Sequence, residues 1–149
     1  MQTNGPYGGN IGCFAVSDTN LFVGMLGDGV CRSTNNGTSW TPVNEGLTST
    51  DVNAFAISGK NIFAGTGSFM GGGGVFVSPN NGTSWNSSGL NDYWIKALAI
   101  SDTNIFAGTY LGGVFLSTNN GTSWIPVSNG IEETVVNAFA FTSNEEGGT

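Results

Sequence analysis

The sequence contains no histidine, and this absence removes the commonest general base and the commonest metal ligand together. Positive charge is also scarce, because three Lys and Arg residues stand against ten Asp and Glu residues, giving a net charge of −7. A surface that binds nucleic acid or an anionic membrane requires clustered cations. We therefore expect neither nucleic acid nor membrane insertion among the partners of this chain.

Long hydrophobic runs and cysteines are few as well. No apolar run approaches the ~20 residues that span a bilayer, and the N-terminus lacks the basic and apolar pattern of a signal peptide. Two cysteines, Cys13 and Cys31, are too few for a disulfide framework. We expect them to be small buried side chains that do not bond to each other.

Internal repeats are the dominant feature that is present. The octet at 33–40, Ser-Thr-Asn-Asn-Gly-Thr-Ser-Trp, returns at 78–85 and, unchanged, at 117–124. A second segment, Asn-Ala-Phe-Ala-Ile-Ser at 53–58, has counterparts at 12–17, 96–101 and 137–142. A period of about 40 residues is typical of solenoids and propellers.

Each period contains four short segments that are rich in Phe, Ile and Val and bounded by Gly, Asn and Ser, a pattern that predicts strands. Small and large side chains alternate along the first segment, which suits sheets that stack face to face. The predicted fold is all-β, a single partial β-propeller over 1–149 built from four-stranded antiparallel meanders. Its blades are expected at about 11–43, 52–88 and 95–128, with one extra innermost strand at 135–142.

The octets resemble the Asp-box, or BNR repeat, Ser-x-Asp-x-Gly-x-Thr-Trp, of sialidase-type propellers, sortilin-like receptors and many secreted bacterial proteins. In that family the box is the hairpin before the outermost strand, remote from any active site, which implies a structural role here. Asn replaces the usual Asp, so the resemblance gives no support for a calcium site. The matching positions are Ser33, Asn35, Gly37, Trp40, Ser78, Asn80, Gly82, Trp85, Ser117, Asn119, Gly121 and Trp124.

Catalytic residues are not expected in this chain. The sialidase-like site implied by the resemblance needs an arginine cluster and a tyrosine nucleophile with a glutamate partner, whereas Arg32 is the single arginine. Glu132 and Glu133 form an adjacent acidic pair, which we interpret as part of a solvated loop. We predict that the chain is not an enzyme and that it uses no metal and no cofactor.

Candidate binding residues lie on the connections that join one meander to the next and the second strand to the third. These loops all emerge at one end of the blades, and they carry large apolar, aromatic and acidic side chains where turns usually carry small polar ones. Aromatic faces stack on sugar rings or peptides, but packing between loops or subunits explains them equally well. The candidates are Tyr7, Met25, Leu26, Asp28, Asp51, Phe69, Met70, Tyr93, Trp94, Tyr110 and Leu111.

The sequence thus indicates a non-enzymatic propeller module for binding or assembly in a secreted or surface bacterial protein. The expected ligand is a neutral glycan or a protein segment. The alternatives are a structural scaffold or filament subunit, and a fragment of a glycoside hydrolase whose catalytic residues lie elsewhere. Closed propellers usually have at least four blades. We therefore expect self-association, by ring closure or by end-to-end exchange of the extra strand.

Overall fold

The computed structural model describes residues 5–6 and 9–142, and it contains three four-stranded antiparallel sheets. Each sheet is a meander in which consecutive strands are neighbours, so the predicted all-β propeller fold is confirmed. No helix long and apolar enough to cross a membrane occurs in the described ranges. Blade 1 contains β1 (Asn10–Ser17), β2 (Asn20–Leu26), β3 (Gly29–Ser33) and β4 (Thr41–Pro42).

Blades 2 and 3 repeat this arrangement. Blade 2 contains β5 (Val52–Ser58), β6 (Asn61–Gly67), β7 (Gly73–Ser78) and β8 (Asn86–Gly89). Blade 3 contains β9 (Ile95–Ser101), β10 (Asn104–Thr109), β11 (Val114–Ser117) and β12 (Ile125–Pro126). The outermost strands β4 and β12 are only two residues long, which limits the length of exposed edge.

The three octets close the hairpins between the third and fourth strands of the blades. In the second octet Asn81 has φ +57° and Gly82 has φ +78°, the left-handed backbone that an Asn-Gly turn requires. The Oδ1 atom of Asn80 accepts hydrogen bonds from the Ser78 hydroxyl and the Ser84 N–H, at 2.9 and 3.0 Å. The other two octets repeat these bonds, so the asparagine fully satisfies the turn without a charge.

Glycine at the centre of each second strand allows the next blade to approach closely. A Cβ atom at Gly24 would lie 2.6 Å from Val52 Cγ1, and one at Gly65 would lie 2.6 Å from Ile95 Cγ2. Both Val52 and Ile95 are completely buried. The side chains from facing blades therefore form two cores, one between blades 1 and 2 and one between blades 2 and 3.

Indole hydrogen bonds join the blades at their outer strands. The Nε1–H of Trp85 donates to the Val43 carbonyl of the preceding blade, and that of Trp124 donates to the Ser88 carbonyl, both at 2.8 Å. Arg32 adds a third link, because its guanidinium donates to the Asn81 carbonyl at 2.7 Å. The second and third octets thus close their own hairpins and also tie their blades to the ones before.

The expected extra strand at 135–142 forms no β-ladder, which corrects its assignment as a strand. The reason is that no second strand of a fourth blade lies beside it among the described residues. Its position is nevertheless that of an innermost strand: a Cβ atom at Gly108 would lie 2.6 Å from Val136 Cγ1, matching the contacts at Gly24 and Gly65. The Val136 N–H donates to the Thr109 carbonyl at 3.0 Å.

Candidate functional site

Three loops from blades 2 and 3 meet at one end of the sheets. A Cβ atom at Gly67 would lie 2.9 Å from the Cα atom of Trp94, so the loop at 68–72 starts beside the connection at 90–94. The Tyr110 N–H donates to the Trp94 carbonyl at 2.9 Å, which adds the loop at 110–113. The structure therefore brings together six of the candidate residues: Phe69, Met70, Tyr93, Trp94, Tyr110 and Leu111. We call this group the aromatic loop patch.

Trp94 is the partly buried centre of the aromatic loop patch. The Tyr110 ring stacks on it, with the ring centroids 4.6 Å apart and the planes 27° apart. The Nζ atom of Lys96 lies 4.6 Å from the Trp94 centroid, a cation–π contact. The Nε1 atom of Trp94 is buried and has no acceptor among the described residues. Trp94 therefore supports the patch, while its neighbours supply the exposed surface.

The exposed part of the patch consists mainly of Tyr93, Tyr110 and Leu111. Tyr110 is 44% exposed and Leu111 is 54% exposed. Tyr93 packs edge-on against Phe115, with centroids 4.9 Å apart, which fixes its ring while leaving it 39% exposed. These three side chains form a surface whose orientation is set by packing from below.

Backbone strain accompanies these side chains. Asp92 has φ +73° and Leu111 has φ +62°, a left-handed conformation that residues other than glycine rarely adopt. Such strain costs of order 1–3 kcal/mol and persists only where the surrounding structure enforces it. Strained residues on both sides of the Trp94–Tyr110 stack indicate that contacts with the surrounding structure hold these loops in one geometry.

Phe69 and Met70 occupy the tip of the loop at 68–72, and each is 81% exposed. The loop is closed by a hydrogen bond from the Gly71 N–H to the Ser68 carbonyl at 3.1 Å. Two large apolar side chains at this exposure are unfavourable in water unless something covers them. They extend the apolar surface of the patch outward from the blade ends.

The candidates in blade 1 have different surroundings. Met25 is a correction: it is 2% exposed and packs with Val23 and Cys31, because β2 continues through it instead of ending before it. Leu26 pairs with Asp51 in an isolated β-bridge between blades. The Asp28 carboxylate accepts the Gly9 N–H at 2.6 Å, a loop contact. Tyr7 lies outside the described residues.

Two contributors to the patch were not among the sequence candidates. Lys96 covers one side of Trp94, and Phe115 lies under Tyr93. Lys96 occupies the repeat position held by Gly12, Asn53 and Asn137. A long cationic side chain at a position that is otherwise Gly or Asn was the sequence signal that could have identified its role. Phe115 belongs to a strand pattern common to all blades, so no sequence signal indicates its contact with Tyr93.

Among the described residues, no group of three or more His, Cys, Asp or Glu side chains could hold a metal ion. The Glu132 carboxylate accepts the Gly130 N–H at 3.0 Å and so closes its own turn. Burial raises the pKa of the Cys13 thiol to about 12 and also raises the pKa of Cys31, so neither is an activated nucleophile.

Solved structures similar to this chain are β-propeller proteins. An ancestral GH74 enzyme is 26% identical, with a TM-score of 0.64, over 83% of this chain and 19% of its own length. The computationally designed Ika4 protein has 16% identity and a TM-score of 0.70, over 96% of this chain and 86% of its own. The extracellular domain of BT4673 from B. thetaiotaomicron has 18% identity and a TM-score of 0.66, over 91% of this chain and 19% of its own length.

The chain therefore spans about a fifth of the GH74 enzyme and of the BT4673 domain, but most of the designed protein. No protein-family model matches the sequence, and comparison with curated proteins gives no match. The similarity to solved structures thus identifies a propeller module and assigns it no activity.

Proposed function

We propose that this chain is a non-catalytic recognition module that binds a neutral glycan through the aromatic loop patch. The observation that carries the proposal is the Trp94–Tyr110 stack, which holds the Tyr110 ring partly exposed between two strained loop residues. A tyrosine ring fixed from beneath presents a flat apolar face at little conformational cost. Sugar rings carry C–H groups that pack against such a face.

The charge of the chain favours a neutral ligand. With a net charge of −7, the protein repels anionic polymers, and Lys96 is the cation that lies at the patch. The exposed Asp92 carboxylate and the Tyr93 hydroxyl lie on the same connection and are suitable hydrogen-bond partners for sugar hydroxyl groups. Aromatic and polar groups thus occur together, as glycan recognition requires.

A second candidate function is that of a propeller segment in a glycoside hydrolase. The similarity to the ancestral GH74 enzyme favours it, because this chain corresponds to about a fifth of that protein. Hydrolysis requires two carboxyl groups with separated pKa values in one cleft. Under this alternative those carboxyl groups would lie in blades outside this chain.

An extracellular location is part of the proposal. The BT4673 fragment is described as an extracellular domain of a bacterial protein, and the octets resemble the Asp-box of secreted bacterial propellers. The asparagines of the octets keep the turn bonds of that box. A surface location would give the chain access to polysaccharides.

Binding to an array of neutral oligosaccharides tests the proposal. We expect selective binding that falls at least about tenfold in Tyr110→Ala and is unchanged in Lys60→Ala, whose side chain is exposed on the turn between β5 and β6 at the other end of blade 2. Circular dichroism checks that both variants fold. Absence of binding, or equal binding by Tyr110→Ala, would refute the proposal. Release of reducing ends from the bound sugar would favour the hydrolase alternative.

A further inference from the structure

The innermost strand of blade 1 presents to solvent side chains whose counterparts are buried, while Val23, Met25 and Cys31 on the same face are already covered. Ile11 is 61% exposed, whereas the equivalent Val52 and Ile95 are completely buried against the preceding blade. Phe14 and Val16 are 55% and 56% exposed on the same face of β1. This face has the composition of an interface between blades, and no preceding blade covers it in the described chain.

The last face of blade 3 is the complementary half of that interface. Phe106 is partly exposed there, whereas its equivalents Phe22 and Phe63 are completely buried under the next blade. Ile125 and Val127 are 55% and 40% exposed beside it. A groove of about 580 Å³ runs along this edge and is lined by Pro126, Val127, Ser128, Asn129 and Glu132.

The indole hydrogen bonds show what would fill this groove. Trp85 donates to the Val43 carbonyl and Trp124 donates to the Ser88 carbonyl. Val127 occupies the same repeat position as Val43 and Ser88, so its carbonyl is the next acceptor in the series. Trp40 is the matching donor on blade 1, and no carbonyl among the described residues accepts its Nε1–H. The chain therefore carries an acceptor at one end and a donor at the other.

The segment at 135–142 occupies part of this complementary face. Val136 packs on Gly108 as Val52 packs on Gly24, and the Phe139 and Phe141 rings contact Phe106 with centroids 6.2 and 5.5 Å apart. Ile11 of a docking blade would need the place of Val136, because the two residues are equivalent in the repeat. The segment and an incoming β1 therefore compete for one site.

We propose that two copies of this chain dock head to tail, with blade 1 of each copy against blade 3 of the other. Trp40 of one copy enters the groove at Val127 of the other and donates Nε1–H to its carbonyl. The incoming β1 displaces the segment at 135–142. β1 is paired with β2 at seven positions, whereas the segment has no ladder and leaves blade 3 at lower cost.

A second copy is the occupant that the structure favours, because the chain already contains this interface twice. The contacts between blades 1 and 2 and between blades 2 and 3 use the same glycine, tryptophan and innermost-strand positions. The outer faces of blades 1 and 3 are the unmatched halves of the same contact. Two such contacts in a symmetric pair join all four outer faces and close a ring of six blades, within the usual range for propellers.

Light scattering after size-exclusion chromatography at micromolar concentration tests the pairing. The full-length chain is expected to have twice its 15.3 kDa mass. Trp40→Ala and Val127→Lys are each expected to be monomers, and Val127→Lys keeps the test valid if Trp40→Ala unfolds. Leu111→Lys, the same kind of change on the aromatic loop patch, is the control and should pair normally, which separates this proposal from glycan binding.

Mixing the two variants tests the head-to-tail arrangement directly. An equimolar mixture of Trp40→Ala and Val127→Lys restores one intact contact per pair, so a mixed dimer should form where neither variant forms one alone. A full-length chain that remains a monomer would overturn the proposal, as would a mass that rises without limit with concentration. Failure of the mixture to associate would overturn the Trp40–Val127 contact.

Truncation after Gly130 tests the displacement of the segment at 135–142. Because the truncated chain has no segment to displace, its pair should be tighter than that of the full-length chain by about tenfold or more in dissociation constant. Weaker pairing after truncation would overturn displacement and would support exchange of the segment between copies, the arrangement expected from the sequence.

Discussion

The indole Nε1 of Trp85 lies 2.8 Å from the backbone carbonyl oxygen of Val43, and this hydrogen bond crosses from blade 2 to the outer edge of blade 1. Trp85 is 2% exposed, so water cannot replace the carbonyl as its partner. The last position of the octet therefore acts in two ways, because its backbone ends the hairpin and its side chain holds the neighbouring blade. The tryptophan of the octet thus provides the hydrogen bond that links a blade to the preceding one.

Trp85→Phe removes this donor and leaves the Val43 carbonyl without its partner. We expect the free energy of unfolding to fall by about 1–3 kcal/mol, measured by urea denaturation. Trp124→Phe removes the same bond from a partly buried ring and should cost less, about 0.5–1.5 kcal/mol. Equal and negligible losses would show that the indole bonds do not hold the blades together.

Asn80 tests the turn chemistry of the octets. Asn80→Ala removes the acceptor for the Ser78 hydroxyl and the Ser84 N–H, and because the turn is exposed we expect a loss of about 1 kcal/mol. Asn80→Asp keeps the Oδ1 acceptor and both hydrogen bonds to it, loses only the Nδ2–H donor to the Ser84 hydroxyl, and should change stability by less than about 0.5 kcal/mol. Thermal denaturation of both variants provides the measurement. A larger loss for Asp than for Ala would contradict the assignment of Oδ1 as the essential atom.

Gly65 tests the close approach of blades 2 and 3. A Cβ atom there would lie 2.6 Å from Ile95 Cγ2 and 3.1 Å from Ile95 Cβ, so Gly65→Ala must push the blades apart. We expect a loss of about 1–3 kcal/mol in urea denaturation. Gly5→Ala is the matched control, because nothing lies within 4 Å of its added Cβ atom. Similar stability of the two variants would refute the tight inter-blade contact.

The buried thiol of Cys13 is expected to lower the free energy of unfolding in alkaline solution. Burial raises the pKa of its thiol from 9.0 to about 12, so above pH 9 the unfolded chain loses a proton that the folded chain retains. The free energy of unfolding should therefore fall between about pH 9 and pH 12, by up to roughly 1 kcal/mol per pH unit. Cys13→Ala should flatten this dependence, and alanine already occupies the equivalent positions Ala54 and Ala97. A slope unchanged by the substitution would contradict the prediction.

Salt concentration should affect the proposed pair. Each copy has a net charge of −7, so the two copies repel each other at low ionic strength. Raising sodium chloride from about 0.01 M to about 1 M shortens the screening length from roughly 30 Å to 3 Å and should lower the dissociation constant. Sedimentation equilibrium provides the measurement. Weaker association at high salt would indicate an interface held by opposite charges.

The repeats made the fold predictable from the sequence because the turn residues and the alternation of small and large side chains in the strands both indicate the same blade. The Asn-Gly pairs supply positive φ at Asn81 and Gly82, and the small residues of the first strands meet the large ones of the next blade. The segment at 135–142 shows the limit of this argument. Its sequence is that of a strand, but a ladder also requires a partner, which the local pattern cannot reveal.

The candidate site was less predictable, because exposure depends on neighbours that lie far along the chain. Met25 resembles a loop residue only if β2 ends early, and in the structure β2 runs through it to Leu26. Trp94 was expected to present its ring to a ligand, but Tyr110 and Lys96 cover it. Contacts between different loops decide both cases, and no periodicity in the sequence encodes them.

The burial of Val52 and Ile95 on the two sides of blade 2 has a consequence for the order in which the chain unfolds. Blade 2 is packed on both faces, whereas each outer blade has one such contact in the described part of the chain. In a linear array, opening an end unit breaks one interface and opening the middle unit breaks two. At concentrations too low for two copies to pair, the amides of β5, β6 and β7 should therefore exchange with deuterium most slowly, and protease cleavage should begin in the outer blades and proceed inward.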